Sequence, residues 1–256
     1  MAKIFCIANQ KGGVGKTTTA VNLAAGLVAQ NQRVLLIDLD PQGNATMGSG
    51  VNKAELENSV YQVLIGTALA SQALLHASAA GYSVLPANRD LAGAEVELVD
   101  LDNREMRLKL ALNEIEEQFD FILIDCPPAL SLLTLNGLCA ADGVVVPMQC
   151  EYFALEGLSD LVNTIKQVHA NLNPGLKIIG LLRVMFDARV TLQQQVSEQL
   201  LKHFGDKVFK TIIPRNVRLA EAPSFGLPGI VFDQSARGAQ AYIQFGSEMV
   251  ERIKTM

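Results

Sequence analysis

The sequence predicts an α/β protein with a doubly wound, mainly parallel sheet that is flanked by helices on both faces. Seven short apolar runs recur along the 256 residues, and they are continuously apolar rather than alternating. Continuous apolar runs are typical of strands that are buried on both faces. Helical patterns separate several of these runs, and strand–helix alternation favours parallel pairing. Without a recognisable repeat or linker, one domain over residues 1–256 is expected.

The individual elements follow from these runs and from apolar stripes of helical spacing. The predicted strands are Ile4–Ala8, Val34–Ile37, Tyr82–Leu85, Phe121–Ile124, Gly143–Pro147, Ile178–Met185 and Val208–Ile213. Three apolar stripes predict helices: Val21, Ala24, Leu27 and Val28; then Leu108, Leu112 and Ile115; then Leu155, Leu158, Leu161, Val162 and Ile165. A last helix is predicted from about Gly238 to Lys254.

Composition excludes several classes of protein. Apolar residues make up 49% of the chain, yet no apolar run reaches the length of a membrane span. A predicted strand begins almost at the first residue, which leaves no room for a signal peptide. The four cysteines have no CxxC spacing and the three histidines are scattered, so buried free thiols are favoured over a zinc site. We expect a cytoplasmic protein without a membrane partner.

The charge distribution is uneven along the chain. The net charge of −5 argues against a generally basic nucleic-acid binder. Residues 1–150 contain 9 Lys and Arg against 16 Asp and Glu, whereas residues 151–256 contain 12 against 10. The C-terminal half could therefore carry a local basic surface.

A glycine-rich segment follows the first predicted strand and precedes a helix, which is the arrangement of a phosphate-binding loop. The usual pattern is G-x-x-x-x-G-K-[ST]. The end of that pattern is present, but Gln10 replaces its first glycine and Lys11 is an additional lysine. Lys16 is expected to bind phosphates and Thr17 to ligate Mg²⁺. The expected nucleotide-binding residues are Lys11, Gly12, Gly13, Val14, Gly15, Lys16, Thr17 and Thr18.

Three carboxylates follow predicted strands, where ligands of doubly wound sheets bind. Asp125 ends an apolar strand, which is the Walker B arrangement, and is expected to hold Mg²⁺. Asp38 and Asp40 follow the second predicted strand. One of the pair could support the metal and the other could orient the attacking water. We assign Asp38 to the metal with Thr17 and Asp125.

Lys11 has no evident role within its own subunit. The negative charge that spreads over a transferring phosphoryl group is stabilised by an additional cation from outside. We therefore expect Lys11 to contact the nucleotide of a partner. This predicts a face-to-face dimer with two nucleotides at its interface.

Asn9–Thr19 closely resembles the deviant Walker A loop of the ParA/MinD ATPases. Asp38–Ala45 looks like the ParA-type switch I segment. Three further segments are similar to chromosomal ParA (Soj) proteins, and the resemblance extends over essentially the whole chain. These segments are Cys150–Gly157, Phe186–Arg189 and Ile213–Gly226.

The resemblance implies a chromosome-partitioning ATPase that uses ATP and Mg²⁺. In this family ATP drives a sandwich dimer that binds double-stranded DNA without sequence preference, and a ParB-type partner stimulates hydrolysis. The protein would then be associated with the nucleoid. By motif match, Lys11, Lys16 and Asp40 are catalytic, with Asp40 orienting the water. Pro214 and Asn216 would line the adenine pocket, and Arg189 and Arg218 would contact DNA.

Three alternatives share the phosphate loop. A MinD-like membrane ATPase would need a C-terminal amphipathic helix with a basic face. A nitrogenase-iron-protein-like reductase would need cluster ligands such as Cys126 and Cys139. A metabolic enzyme, such as an ATP-dependent ligase, would hydrolyse ATP only with its own substrate.

Overall fold

The structure is a computed structural model that describes residues 1–254. Its strands form one sheet in the order β3-β4-β2-β5-β1-β6-β7-β8, and all neighbours are parallel except β3 and β4. The predicted doubly wound, mainly parallel sheet is therefore confirmed. The strands are β1 Lys3–Ile7, β2 Val34–Asp38, β3 Leu75–Ala77, β4 Tyr82–Leu85, β5 Phe121–Asp125, β6 Gly143–Met148, β7 Lys177–Phe186 and β8 Val208–Pro214.

Helices connect the strands and cover both faces of the sheet. The helices are α1 Lys16–Val28, α2 Asn44–Gly48, α3 Val60–Ile65, α4 Ala70–Ala73, α5 Leu91–Glu97, α6 Arg107–Leu112, α7 Leu132–Ala140, α8 Ala154–Asn171, α9 Thr191–Phe204, α10 Val217–Glu221, α11 Gly229–Phe232 and α12 Arg237–Lys254. Short 3₁₀ turns lie at Leu98–Asp100, Glu116–Gln118, Gly205–Lys207 and Ala222–Phe225. The stripe of Leu108, Leu112 and Ile115 predicts a helix that reaches Ile115, but α6 ends at Leu112.

Side chains of β1 alternate between two hydrophobic cores, one on each face of the sheet. Ile4 and Cys6 belong to the core beneath α5–α9, whereas Phe5 and Ile7 belong to the core beneath α1 and α12. Because neighbouring side chains of a strand point to opposite faces, a strand buried on both faces must be apolar at every position. This explains the continuous apolar runs.

Helices α1 and α12 cross at two glycines. A Cβ on Gly26 would lie 2.7 Å from the carbonyl oxygen of Tyr242, and one on Gly246 would lie 2.7 Å from the backbone of Gly26. The Tyr242 hydroxyl also lies 3.0 Å from the Thr19 hydroxyl, within the same interface. The apolar face of α12 is thus packed inside the domain, which disfavours the membrane-binding alternative. Within residues 1–254, no helix combines the length and apolar character that crossing a bilayer requires.

The register of the central strands brings the predicted carboxylates together. Asp38 of β2 lies opposite Asp125 of β5, and Asp125 lies opposite Ile7 of β1 on its other side. The carboxyl end of β1 leads into the glycine-rich loop. The central strands therefore place the loop and the two carboxylates at one edge of the sheet, as the sequence predicts.

Candidate functional site

The glycine-rich loop between β1 and α1 is fixed by left-handed glycines and by one asparagine. Gly13 and Gly15 have φ values of 73° and 77°, which strongly favour glycine. The Asn9 side chain accepts a hydrogen bond from the Lys11 amide at 3.0 Å and donates one to the Pro147 carbonyl at 2.9 Å. These two hydrogen bonds anchor the loop to β6.

The N-terminus of α1 faces this loop without a side-chain cap. Gly15 is the N-cap residue, and within residues 1–254 no side chain accepts from the first-turn amides. Uncapped amides and the helix dipole favour an anion at this position. Lys16 is buried beside them, and burial lowers the pKa of its ammonium. Its Nζ donates to the Lys11 carbonyl at 3.1 Å. These groups fit a phosphate, as predicted.

Asp125 is a fully buried carboxylate close to the Thr17 hydroxyl and to Lys16. Within residues 1–254, neither of its side-chain oxygens has a partner at hydrogen-bond distance. Burial and the neighbouring Asp38 raise its pKa well above the ordinary value, while Thr17 and Lys16 favour the charged form. A buried carboxylate beside a threonine hydroxyl and a second carboxylate is a hard oxygen donor set. The residues present therefore fit Mg²⁺.

Asp38 organises the loop that follows β2. Its Oδ2 accepts from the Thr46 amide and from the Thr46 hydroxyl, both at 2.8 Å, and its Oδ1 accepts from the Asp40 amide at 3.1 Å. Burial raises the pKa of this carboxyl to about 6, although these hydrogen bonds favour its charged form. Asp38 thus has a structural function that the sequence did not indicate, and its assignment to the metal stays a prediction.

Asp40 lies further out, at the rim of the site. Its Oδ1 accepts from the Gln42 amide at 2.9 Å. The chain then turns at Gly43, where φ is 63° and a Cβ would lie 2.7 Å from the Ala87 carbonyl oxygen. This glycine is required by both conformation and space. The turn fixes a partly exposed carboxylate close to Lys16.

Lys11 forms an ion pair within its own chain. Its Nζ lies 2.5 Å from Glu151 Oε2, and both side chains are 46% exposed. Lys11 thus has a partner inside its own subunit. No local pattern indicated this pair, because Glu151 lies 140 residues away, beyond β6. Its contact with a partner's nucleotide stays a prediction.

A cavity of about 160 Å³ adjoins the phosphate loop on the side of β7 and β8. Pro214 and Asn216, the predicted adenine contacts, line it together with Thr18 and Met185. Asn216 caps α10 by accepting from the Leu219 amide at 3.3 Å, which leaves its amide NH₂ available to a ligand. Met185 has a φ of 52°, a conformation that a non-glycine residue rarely adopts. The sequence did not single out Met185.

A larger cavity of about 370 Å³ lies on the other side of Thr18. Met47 of α2 and Leu219 of α10 contribute to its apolar lining, and Thr17 and Asn22 are polar groups in it. Thr18 and Leu219 line both cavities. The helix that supplies the phosphate-binding residues therefore separates two spaces, of which the smaller contains the predicted adenine contacts.

The two arginines predicted to contact DNA follow the carboxyl ends of β7 and β8. The Arg189 side chain is 89% exposed and donates to Asp187 at 2.9 and 2.7 Å. These bonds lower the pKa of Asp187 to about 2. Arg218 is paired with Glu221 at 2.9 Å and lies 3.5 Å from Asp233. Both arginines are accessible, but each is engaged by carboxylates of its own chain.

The cysteines do not form a cluster-binding site. Cys126 and Cys139 are buried, as are the other two cysteines, and none is in a disulfide. Within residues 1–254, no group of three or more His, Cys, Asp or Glu side chains is arranged to hold a metal ion. The prediction of buried free thiols is confirmed, and the burial of Cys126 and Cys139 disfavours the nitrogenase-like alternative, which needs ligands at the surface between two subunits.

Comparisons with known proteins agree with this geometry. A family model described as AAA domain matches residues 2–178. The sporulation initiation inhibitor protein Soj of Bacillus subtilis is 53% identical over 249 residues, which cover 97% of this chain and 98% of Soj. The chromosome partitioning protein ParA of Myxococcus xanthus is 51% identical over 253 residues, which cover 98% of this chain and 89% of ParA.

A solved structure adds a relative with bound ligands. Cobyrinic acid a,c-diamide synthase from Mycobacterium smegmatis, with bound ADP and magnesium, superimposes with a TM-score of 0.87 and 40% sequence identity. The match covers 99% of this chain and 96% of that one. The phosphate loop, the paired strand-end carboxylates and the similarity along the whole chain all lead to one conclusion: the chain belongs to the ParA/Soj family of chromosome-partitioning ATPases.

Proposed function

We propose that this chain, folded as a single domain, is an ATP-driven DNA-binding switch for chromosome partitioning. ATP with Mg²⁺ joins two copies face to face, and only the pair binds double-stranded DNA. A ParB-type partner then stimulates hydrolysis and releases the pair from the nucleoid. The observation that carries this proposal is the uncapped α1 N-terminus beside buried Lys16 and the unpartnered carboxylate of Asp125.

Each residue of the site has a defined task in this proposal. The Gly13–Thr18 backbone and Lys16 bind and neutralise the phosphates. Thr17 and Asp125, with Asp38 behind them, would hold Mg²⁺, which would supply positive charge to the β- and γ-phosphates. Asp40 accepts a hydrogen bond from the attacking water and aligns it, since phosphoryl transfer depends on positioning rather than on a strong base. Lys11 adds a cation to the partner's nucleotide.

DNA binding by the pair has a simple electrostatic basis. Each phosphate contact contributes about one unit of log–log salt dependence, so doubling the contacts on a rigid dimer multiplies the affinity. Arg189 and Arg218 provide such contacts on the less acidic half of the chain. ATP would thereby control DNA binding without touching DNA.

An ATP-dependent ligase is the alternative that the name of the 40% identical structure raises. A ligase that takes its nitrogen from glutamine needs a reactive, accessible thiolate. Every cysteine of this chain is buried, and burial raises the thiol pKa of Cys6, Cys139 and Cys150. The thiols thus argue against glutamine-dependent chemistry.

The test is DNA retention measured with ADP, with ATP and with a slowly hydrolysed ATP analogue across a salt series. We expect retention only with ATP or the analogue, and a steep loss with salt. Lys11→Ala should bind ATP but remain monomeric in light scattering, whereas Lys16→Ala should lose tight ATP binding and should not be retained on DNA. Equal DNA binding by the nucleotide-free monomer would refute the proposal.

A further inference from the structure

The residues that join β2 to α2 form a short loop whose two ends are tied together. Asp38 is the last residue of β2, and Thr46 lies in α2. Asp38 Oδ2 accepts hydrogen bonds from the Thr46 amide and from the Thr46 hydroxyl, both at 2.8 Å. Both residues are fully buried, so water does not compete for these bonds. Residues 38–46 therefore form a closed loop with one fixed junction.

The Thr46 hydroxyl also ties this junction to the end of a neighbouring strand. Its Oγ1 accepts a hydrogen bond at 2.9 Å from the amide of Ala87, a buried residue just beyond β4. The hydroxyl thus donates to Asp38 and accepts from Ala87 at the same time. Gly43 lies against the same residue, because a Cβ there would lie 2.7 Å from the Ala87 carbonyl oxygen. These contacts locate the loop relative to both β2 and β4.

The position of Asp40 depends on this junction. Asp40 lies between β2 and α2, so neither element fixes it directly. Its hydrogen bonds join it to Asp38, Gln42 and Gly43, all inside residues 38–46. A shift of the loop as a whole would therefore carry Asp40 with it.

The phosphate-binding groups lie on a different segment of the chain. Lys16 is the first residue of α1, and Asp40 is near enough to favour its charged form. A shift of residues 38–46 would thus move Asp40 relative to a phosphate site that stays in place. Phosphoryl transfer depends on alignment, and a misplacement of about 1 Å can slow a reaction by about 100-fold. We expect hydrolysis to depend on the junction far more than ATP binding does.

We propose that Thr46 is a positioning residue for ATP hydrolysis. Its hydroxyl, held between Asp38 and Ala87, keeps Asp40 where the attacking water must be aligned. The hydroxyl is required for this task, whereas the methyl group of the threonine is not. This inference rests on the proposed function, because Thr46 acts through the role that Asp40 has there.

Thr46→Val tests this role, because it removes the hydroxyl and keeps the size of the side chain. Single-turnover hydrolysis should slow roughly 10-fold, while the Kd for ATP stays within about threefold of wild type. Thr46→Ser restores the hydroxyl and should recover most of the rate. The matched control is Thr211→Val, since Thr211 is also buried but its hydroxyl has no partner within residues 1–254. The control should hydrolyse ATP as wild type does.

Two results of this comparison would overturn the inference. One is a wild-type rate for Thr46→Val, and the other is a rate for Thr46→Ser as low as that of Thr46→Val. If Thr46→Val does not fold, Thr46→Cys takes its place, because a thiol is a weaker donor and acceptor than a hydroxyl. Thr46→Cys should then be slower than Thr46→Ser, and equal rates for these two would overturn the inference.

A double-mutant cycle separates positioning from general destabilisation. In an Asp40→Ala background, adding Thr46→Val should slow hydrolysis by less than about twofold, because the group that Thr46 positions is already absent. A further loss of about tenfold would overturn the inference. An effect of Thr46→Val that disappears at saturating Mg²⁺ would overturn it too, since Thr46 would then act on the metal. Normal hydrolysis by Asp40→Ala alone would contradict the proposed function as well, whereas slow Asp40→Ala beside normal Thr46→Val contradicts this inference only.

Discussion

The ammonium group of Lys16 donates a 3.1 Å hydrogen bond to the backbone carbonyl of Lys11. The phosphate-binding lysine is thus held by its own loop, close to where the phosphates would bind. Because the side chain is already ordered, little conformational entropy is lost when it moves to a phosphate oxygen.

Lys16→Ala should therefore weaken ATP binding by about 3 kcal/mol, roughly 100-fold in Kd, since it removes a buried charge-assisted hydrogen bond. Titration calorimetry measures the effect. Lys166→Ala, on the exposed face of α8, is the control and should bind ATP as wild type does. ATP affinity within threefold of wild type for Lys16→Ala would contradict the site.

Asp40→Ala should keep ATP binding and ATP-dependent pairing but slow hydrolysis by about 100-fold or more, because the attacking water loses its acceptor. Asp40→Asn is the matched variant, since its amide oxygen can still accept from the Gln42 amide and preserve the loop. Single-turnover phosphate release measures both. If both variants hydrolyse ATP at the wild-type rate, Asp40 does not position the water.

Asp125→Asn should stabilise the nucleotide-free protein at pH 8 by about 1–2 kcal/mol, because it removes a buried charge whose oxygens have no well-formed hydrogen bond within residues 1–254. It should also weaken Mg²⁺-dependent nucleotide binding. Denaturant unfolding with and without Mg²⁺-ADP separates the two effects. An unchanged response to Mg²⁺ would remove Asp125 from the metal site.

The same carboxylates predict how stability depends on pH. Burial raises the pKa of Asp38 to about 6, and that of Asp125 also rises. The folded state thus binds more protons than the unfolded state above pH ~4. These two carboxyls should therefore contribute most to the free energy of unfolding of the ligand-free protein below pH ~4. Their contribution should fall as the pH rises through about 6. Urea midpoints between pH 5 and 8 test this, and Asp125→Asn should show a shallower slope.

Because Arg189 is paired with Asp187, substitutions of these two residues should have opposite effects on DNA binding. Arg189→Ala should lower the salt slope of DNA binding by about 1 per subunit, because one phosphate contact is lost. Asp187→Asn should instead raise DNA affinity, because it releases Arg189 from two charge-assisted hydrogen bonds. Both variants should form the ATP-dependent pair. If neither changes DNA retention, the DNA surface lies elsewhere.

The glycine crossing of α1 and α12 predicts a stability difference. Gly26→Ala should destabilise the fold by about 1–3 kcal/mol, because its methyl group would lie 2.7 Å from the Tyr242 carbonyl oxygen. Gly157→Ala, in α8, has no atom within 4 Å of the added methyl group and should stabilise by about 0.5–1 kcal/mol. Thermal unfolding distinguishes the two, and equal effects would refute the packing argument.

Sequence reasoning predicts the parallel core of this protein well, because buried parallel strands have an unmistakable pattern. Every predicted strand is present, and the positions of Asp38 and Asp125 follow directly from where their strands end. The edge strand Leu75–Ala77 was not predicted. It has three residues, two of them exposed, and it pairs only with β4, so its sequence carries no periodic signal.

Long-range contacts explain what the sequence could not predict at the site. The Lys11–Glu151 pair and the hydrogen bonds from Thr46 to Asp38 depend on how loops return to the sheet edge. Local sequence patterns do not show where a loop meets the edge of the sheet. The sequence indicated which groups could bind phosphate, but not that Asp38 already accepts hydrogen bonds from Thr46.

The packing of the last helix on the first has a consequence for synthesis. Gly26 and Gly246 touch although they are 220 positions apart, and Tyr242 closes the same contact on Thr19. During translation, the part of α1 that packs on α12 stays exposed to solvent until nearly the entire polypeptide has been made. Contacts between residues that are far apart in sequence slow folding. Incomplete chains would be prone to aggregate or to need a chaperone.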